Sequence, residues 1–313
     1  VTDKNVDKFY GEIVEKSLKH HGYEVLKVVL KPGEESKSMG SLICLYNNLL
    51  DFKLNRGSLI IALGGGVIGD LTGFCAATLL RGIPFVQVPT SFLAQIDSSI
   101  GGKVAIDLPK GKNLVGNFYH PKAVYIDPQV LKSLEKRYLN DGLGEAIKYG
   151  VIRDKNLFCR LEDIKNYEEL FNNMEYLIYK CCDIKRRIVE VDEKDTGERM
   201  ILNFGHTIGH ALEKLQNYQG YSHGEAVAVG MYTIARSCEE LKICETDVSS
   251  RIKGLLDKFQ LPHSINIEST EDIINAMEVD KKNSGSFINL ILLRDIGEAF
   301  IHKIPSKELR KYI

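Results

Sequence analysis

The chain has 313 residues, with 41 Lys and Arg against 42 Asp and Glu, a net charge of −1. That balance argues against a nucleic-acid coat or a membrane-surface binder, which carry a basic excess, yet it allows a small anion held by a few local cations. A hydrophobic content of 44% excludes wholesale disorder, and no apolar run reaches the ~18 residues that span a bilayer.

The chain opens Val1-Thr2-Asp3 without an initiator methionine. This reads as the end of a strand entering a turn, and the expectation is that a segment precedes the numbering. Residues 23–30 predict a strand, followed by a turn at Lys31-Pro32-Gly33. Residues 41–52 carry Leu42, Leu45, Leu49 and Phe52 at helical spacing. Residues 58–63 form a short apolar strand that runs into Gly64-Gly65-Gly66. Residues 71–80 read as a helix of small side chains, and residues 85–88 and 124–126 as strands. Such alternation predicts a mainly parallel α/β sheet covered on both faces. From about Leu131 helical patterns dominate, at 157–161, 170–191, 206–215, 225–241 and 248–259. Only 288–293 and the region of Phe300 look like strands there. The expected organisation is an α/β domain over 1–135 and a mostly helical domain over 136–313. Seven cysteines, odd in number and without framework spacing, predict reduced thiols in a cytoplasmic protein. No signal peptide is visible at the start.

Three segments carry chemistry. Gly64 to Gly69 reads G-x-G-x-x-G between a strand and a helix, which suits a pyrophosphate at a helix N-terminus. The same pattern also fits a tight turn with no ligand. The acidic residue that should follow about 20 positions on, to hold a ribose, is absent between Asp70 and Asp97. Next, Asp97-Ser98-Ser99-Ile100-Gly101-Gly102-Lys103 and Gly111-Lys112-Asn113 place lysines and hydroxyls on what read as glycine-rich loops. They suit an anionic polyol, and equally a solvated surface. Finally, His206 and His210 stand one helical turn apart, with His223 close behind. A carboxylate from elsewhere would complete a catalytic zinc pattern, and Glu145, on a predicted helix with Lys148, is a candidate. Spacing leaves open which two histidines bind.

Together, Gly-Gly-Gly-Val-Ile-Gly-Asp at 64–70, Asp-Ser-Ser-Ile-Gly-Gly-Lys at 97–103, Gly-Lys-Asn at 111–113, Leu-Asn-Phe-Gly-His-Thr-Ile-Gly-His at 202–210 and His-Gly-Glu-Ala-Val-Ala at 223–228 resemble the 3-dehydroquinate synthase family of sugar-phosphate cyclases. The resemblance runs over the whole chain and makes the absent start the family's first strand and helix. It implies conversion of 3-deoxy-D-arabino-heptulosonate 7-phosphate into 3-dehydroquinate and phosphate, with NAD used catalytically and a divalent metal, zinc or else cobalt. The implied steps are oxidation at C5, loss of phosphate, re-reduction, ring opening and aldol closure. The departing phosphate itself is thought to take the proton beside the ketone.

Carried over residue by residue, the metal ligands would be Glu145, His206 and His223. NAD would meet Gly65, Gly66, Val67, Gly69, Asp70, Thr90 and Ser91, with Asp3, Glu34 and Lys37 at its adenosine end. Asp97, Lys103 and Lys112 would touch both cofactor and substrate. Arg81, Asn113, Lys148, Lys185, Arg199, Asn203, His210 and Lys281, or its neighbour Lys282, would complete the substrate set. The resemblance further implies a site in the cleft between the domains, a homodimer, and neither a nucleic-acid nor a membrane partner. Related cyclases, such as 2-deoxy-scyllo-inosose synthase, and metal-dependent polyol dehydrogenases share the loop and triad. Arg199 with Asn203 and Lys185 favours a substrate that carries a carboxylate.

Overall fold

A computed structural model of the chain describes residues 1–265, 270–281 and 287–313. It divides into two compact units, Val1–Glu135 and Lys136–Ile313. In the first, β1 (Thr2–Asp3) pairs in parallel with β2 (Val29–Leu30). Asp3 ends its strand by capping a helix: its carboxylate accepts from the N–H groups of Asn5 at 2.8 Å and Val6 at 3.1 Å. That starts α1 (Lys4–Val6), which passes through a π turn at Asp7–Gly11 into α2 (Glu12–His20). Ser38 caps α3 (Met39–Asp51), whose Leu42, Leu45 and Leu49 are buried in the core as their spacing requires.

β3 (Ile60–Gly64) and β4 (Phe85–Pro89) pair in parallel, with α4 (Gly66–Thr78) as the crossover. The Val1 amino group donates to the Ile61 carbonyl at 2.8 Å, and the Leu63 N–H donates to the Val1 carbonyl at 2.9 Å. These bonds tie the two ladders into the order β2–β1–β3–β4, and a parallel bridge from Gln87 to Val124 extends it. The unit is the α/β, mainly parallel arrangement that strand–helix alternation predicts.

Three local expectations change. Of residues 23–30, only Val29 and Leu30 pair as a strand, in register with Thr2 and Asp3. Residues 124–126 give one bridge, because Asp127 caps a 3₁₀ turn at Pro128–Ser133. Of the segments read as glycine-rich loops, Lys103 and Gly111-Lys112-Asn113 lie instead on an antiparallel hairpin of β5 (Lys103–Leu108) and β6 (Gly111–Phe118). Leu108 faces Gly111 across the two-residue turn Pro109-Lys110. Val104 and Ile106 anchor the hairpin in the core. It approaches α4 so closely that a Cβ on Gly73 would lie 2.4 Å from Val104 Cγ1.

The second unit is mostly helical. Its helices are α5 (Lys136–Arg153), α6 (Lys155–Asp163), α7 (Tyr167–Asn172), α8 (Met174–Val191), α9 (His206–Leu215), α10 (His223–Glu240), α11 (Val248–Lys258) and α12 (Thr270–Lys281). β7 (Phe287–Asp295) and β8 (Glu298–Pro305) form an antiparallel hairpin. The single helix expected over 170–191 is broken at Asn173, which ends α7 and begins α8. Among the described residues, no helix is long and apolar enough to cross a membrane.

Candidate functional site

Glycines set how closely the helices of the second unit cross. A Cβ on Gly144 would lie 2.7 Å from the Gly224 carbonyl oxygen, and one on Gly224 would lie 2.0 Å from the Asp141 oxygen. α5 and α10 therefore touch backbone to backbone. Gly205 stands at φ +78°, and a Cβ on Gly230 would lie 2.0 Å from its carbonyl oxygen, which brings the start of α9 equally close to α10. Three of these four crossing glycines adjoin a candidate ligand: Gly144-Glu145, Gly205-His206 and His223-Gly224. Backbone proximity thus becomes side-chain convergence. Glu145, His206 and His223 each offer a ligand atom, all within 4.8 Å of one another.

The geometry around this triad is asymmetric. Glu145 is fully buried, and its Oε1 lies 3.4 Å from His206 Nε2 and 3.5 Å from His223 Nε2. Its other oxygen pairs with the buried ammonium of Lys148, one turn on. His206 Nδ1 lies 3.1 Å from the Phe204 carbonyl, which can only accept, so the proton sits on Nδ1 and the Nε2 lone pair faces Glu145. Burial, reinforced by Lys148, holds His206 well below its ordinary value, so its imidazole is neutral. Burial pulls His223 down too, but Glu145 and Glu213 together hold it well above. His210 is exposed on the same helix face, its ring 5.4 Å from that of His206 and 6.3 Å from that of His223.

Two acids that motif reading missed support the cluster. Asp141 accepts the N–H of Gly224 at 2.5 Å, so α5 caps the helix that His223 begins. Burial pushes the Asp141 carboxyl up. Glu213 is buried on α9, with an oxygen 3.7 Å from His223 Nδ1. The available signal was position: Asp141 stands one turn before Glu145, and Glu213 three residues after His210.

In the first unit, Gly65 begins α4 without a side-chain cap, leaving the first-turn N–H groups of a 13-residue helix for another acceptor. A Cβ on Gly65 would come within 3.3 Å of Ser91 Oγ, and one on Gly66 within 3.1 Å of Ser98 Oγ. Gly69 instead serves packing, since a Cβ there would lie 2.7 Å from Gln87 Oε1. Val67 lies in the same first turn, and Thr90 is buried just past β4, its N–H on the Gly64 carbonyl at 2.9 Å. Lys37 is buried and donates to Asp70 Oδ2 at 2.6 Å and Asn113 Oδ1 at 2.5 Å. It thereby ties the glycine-loop helix to the hairpin. Asn113 holds a left-handed φ of +57°, and its N–H donates to Asp107 at 2.8 Å, another acid that sequence reading missed. Glu34 and Lys112 lie 3.8 Å apart beside this network.

The other expected residues are dispersed through the units. Arg81 is exposed at φ +68°, between Leu80 at +50° and Gly82 at +112°. Asp97 sits in a π turn at Ala94–Ser98, and Lys103 is exposed at the start of β5. Lys185 on α8 and Arg199 in the 3₁₀ turn Glu198–Asn203 are buried, and Asn203 is exposed at the end of that turn. α5, α8 and this turn pack on one another, so Lys148, Lys185 and Arg199 are buried cations on three neighbouring elements. Arg199 also donates to the Glu193 carbonyl at 2.6 Å. Lys281 closes α12, but its side chain lies outside the described residues, as does Lys282.

Comparison with known proteins places this geometry. Residues 27–141 match the profile described as 3-dehydroquinate synthase N-terminal, and residues 142–283 the one described as 3-dehydroquinate synthase C-terminal. A 3-dehydroquinate synthase of Clostridium acetobutylicum is 56% identical over 313 residues, all of this chain and 88% of the relative. One of Enterococcus faecalis is 45% identical, again over all of this chain and 87% of the relative. A solved 2-deoxy-scyllo-inosose synthase, complexed with carbaglucose-6-phosphate, NAD+ and Co2+, is 27% identical, with a TM-score of 0.85 over 100% of this chain and 89% of that one. The 2-epi-5-epi-valiolone synthase of Streptomyces hygroscopicus, with NAD+ and Zn2+ bound, shares the fold, with a TM-score of 0.91 at 23% identity over 99% of this chain and 87% of that one. With both halves matched in order and close relatives over its full length, the chain belongs to the 3-dehydroquinate synthase family.

Proposed function

We propose that the chain converts 3-deoxy-D-arabino-heptulosonate 7-phosphate into 3-dehydroquinate and phosphate. The observation that carries this reading is the Glu145–His206–His223 triad, gathered on a fully buried carboxylate, in a chain with full-length 3-dehydroquinate synthase relatives. The triad fits a divalent metal. It supplies two imidazoles and a carboxylate, and the His206 lone pair is already aimed at the shared centre. This donor set suits zinc and would accept cobalt. The uncapped start of α4, with glycines against Ser91 and Ser98, fits the pyrophosphate of NAD. When bound, the metal supplies electrophilic polarisation of the substrate oxygens, and NAD supplies a reversible hydride acceptor.

The chain's own groups bind and orient. Gly65, Gly66, Val67 and Asp70 cradle the cofactor, with Thr90 and Ser91 beside them and Gly69 packing the helix behind, and Asp3 and Glu34 serve its adenosine end. Lys37 holds Asp70 and Asn113 in register, linking the cofactor loop to a substrate-binding hairpin that also carries Lys103 and Lys112. Lys148, Lys185 and Arg199 neutralise the phosphate and carboxylate from positions where burial strengthens every charge interaction. Asp97, Asn203, Arg81 and one of Lys281 and Lys282 complete the substrate contacts, and exposed His210 carries protons at the edge of the histidine cluster. The first unit is read as the NAD-binding domain and the second as the metal domain. A homodimer in the cytoplasm is the assembly and location this reading favours.

The direct test supplies purified protein with NAD and zinc and measures phosphate released from the heptulosonate phosphate, glucose 6-phosphate and sedoheptulose 7-phosphate side by side. Release from the first alone is expected. No release from it would end the assignment, and preference for another would move the chain to a sister activity.

Lys37→Met should weaken NAD binding by roughly 10- to 100-fold, the loss expected when charge-assisted hydrogen bonds worth about 1.5–3 kcal/mol disappear. Fluorescence titration with NAD measures it, and parental affinity would refute the link between loop and hairpin. Burial pulls the Lys37 ammonium down, but Asp70, with Glu34 and Asp107, more than offsets this and holds it above its ordinary 10.5. The clamp is therefore complete at neutral pH, and its contribution is lost only as pH rises through that raised value.

A further inference from the structure

The two nitrogens of His223 face two different carboxylates. Nε2 lies 3.5 Å from Glu145 and Nδ1 lies 3.7 Å from Glu213. Glu213 is buried on α9, two helical turns past His206 and on the same face of that helix. A carboxylate removed from water needs a charged or hydrogen-bonding partner, and the His223 imidazole stands within ion-pair distance of it.

We propose that Glu213 is a positioning residue that fixes the ring orientation and tautomer of His223: it holds the Nδ1 proton, so that Nε2, facing Glu145, is the nitrogen that would give up its proton to a metal at the shared centre. The inference rests on the metal reading of the triad given above. It makes the two imidazoles equivalent by different means. His206 has its Nδ1 proton held by the Phe204 backbone carbonyl at 3.1 Å, and His223 has its own held by a side chain. A side chain also adds negative charge behind the ring and raises the basicity of the coordinating nitrogen. His210 borders the same region, since His210, Glu213 and His223 offer ligand atoms within 4.8 Å of one another. That grouping would instead make Glu213 a ligand of a second ion, and the experiment must separate the two roles.

The test measures cobalt affinity and stoichiometry on metal-stripped protein, by competition with a chelator and by the visible cobalt spectrum. Thermal melting of the metal-free proteins reports the fold. Glu213→Leu removes both charge and acceptor and should weaken cobalt binding by about 10- to 100-fold, the range typical of such supporting partners. Glu213→Gln keeps one acceptor oxygen and should lie between Glu213→Leu and the parent; it carries the test if the leucine variant does not fold. The parent and both variants should take up one equivalent. In a His223→Ala background, Glu213→Leu should cause no further loss, because its effect passes through that ring. Parental affinity in Glu213→Leu, or an equal loss with and without His223, would overturn the proposal. So would a second equivalent in the parent that vanishes in Glu213→Leu. Cobalt uptake in the parent that Glu145→Gln leaves unchanged would instead bring down the metal reading, and this inference with it.

Discussion

Glu145→Gln should leave the chain folded and reduce turnover by a factor on the order of 10³ or more. The magnitude follows from the several kcal/mol that a bound metal contributes to transition-state charge, at about 1.4 kcal/mol per factor of ten. The glutamine keeps the shape of the side chain, and its amide oxygen can still accept from Lys148. Glu145→Ala is a poorer probe. It leaves a fully buried ammonium without its carboxylate, and breaking a buried pair from one side costs about 3–5 kcal/mol. The alanine variant should therefore lose stability as well as activity. Adding Lys148→Met should return part of the stability and none of the turnover. Phosphate release, metal content by elemental analysis and thermal melting distinguish these effects. A Glu145→Gln protein that turns over at the parental rate would remove Glu145 from the site.

How much of this was visible in the residues alone depended on sequence distance. The members of the candidate triad could be picked out because each sits in a short pattern with its own chemistry: His206 one turn before His210, His223 at a helix start, Glu145 in Gly-Glu-Ala-Ile-Lys. The parallel ladders were legible from apolar runs ended by glycine or proline. The hairpin at 103–118 was not, because Gly111, Lys112 and Asn113 carry loop composition on a strand, and its burial depends on α4 lacking a side chain at Gly73. Asp141 and Glu213 look like solvated charges on amphipathic helices. Only the fold brings Asp141 to the N-terminus of α10, 83 residues on, or turns Glu213 toward the His223 ring. Lys37 was placed at the adenosine end of NAD by resemblance. The structure gives its ammonium partners 33 and 76 residues away, and no local pattern encodes such a bond.

Gly224→Ala should damage the triad without touching any ligand. The new Cβ would sit 2.0 Å from the Asp141 carbonyl oxygen, far inside any real carbon–oxygen contact, and that oxygen is backbone of α5 and cannot swing aside. α5 and α10 must separate, and Glu145 and His223 ride on those two helices. Forcing a methyl into such packing typically costs about 1–3 kcal/mol, sometimes more. The site should suffer more than the fold, because displacing a reacting group by about 1 Å can cost on the order of 10² in rate. Gly254 on α11 provides the counterpart: nothing lies within 4 Å of a Cβ there, and its φ is not in the left-handed region. Gly254→Ala should therefore stabilise the chain by about 0.4–1 kcal/mol, through reduced freedom of the unfolded state, and leave turnover unchanged. Melting temperature, cobalt affinity and phosphate release on the two variants test the pair. If Gly224→Ala binds cobalt like the parent, backbone contact at this crossing does not set the spacing between Glu145 and His223.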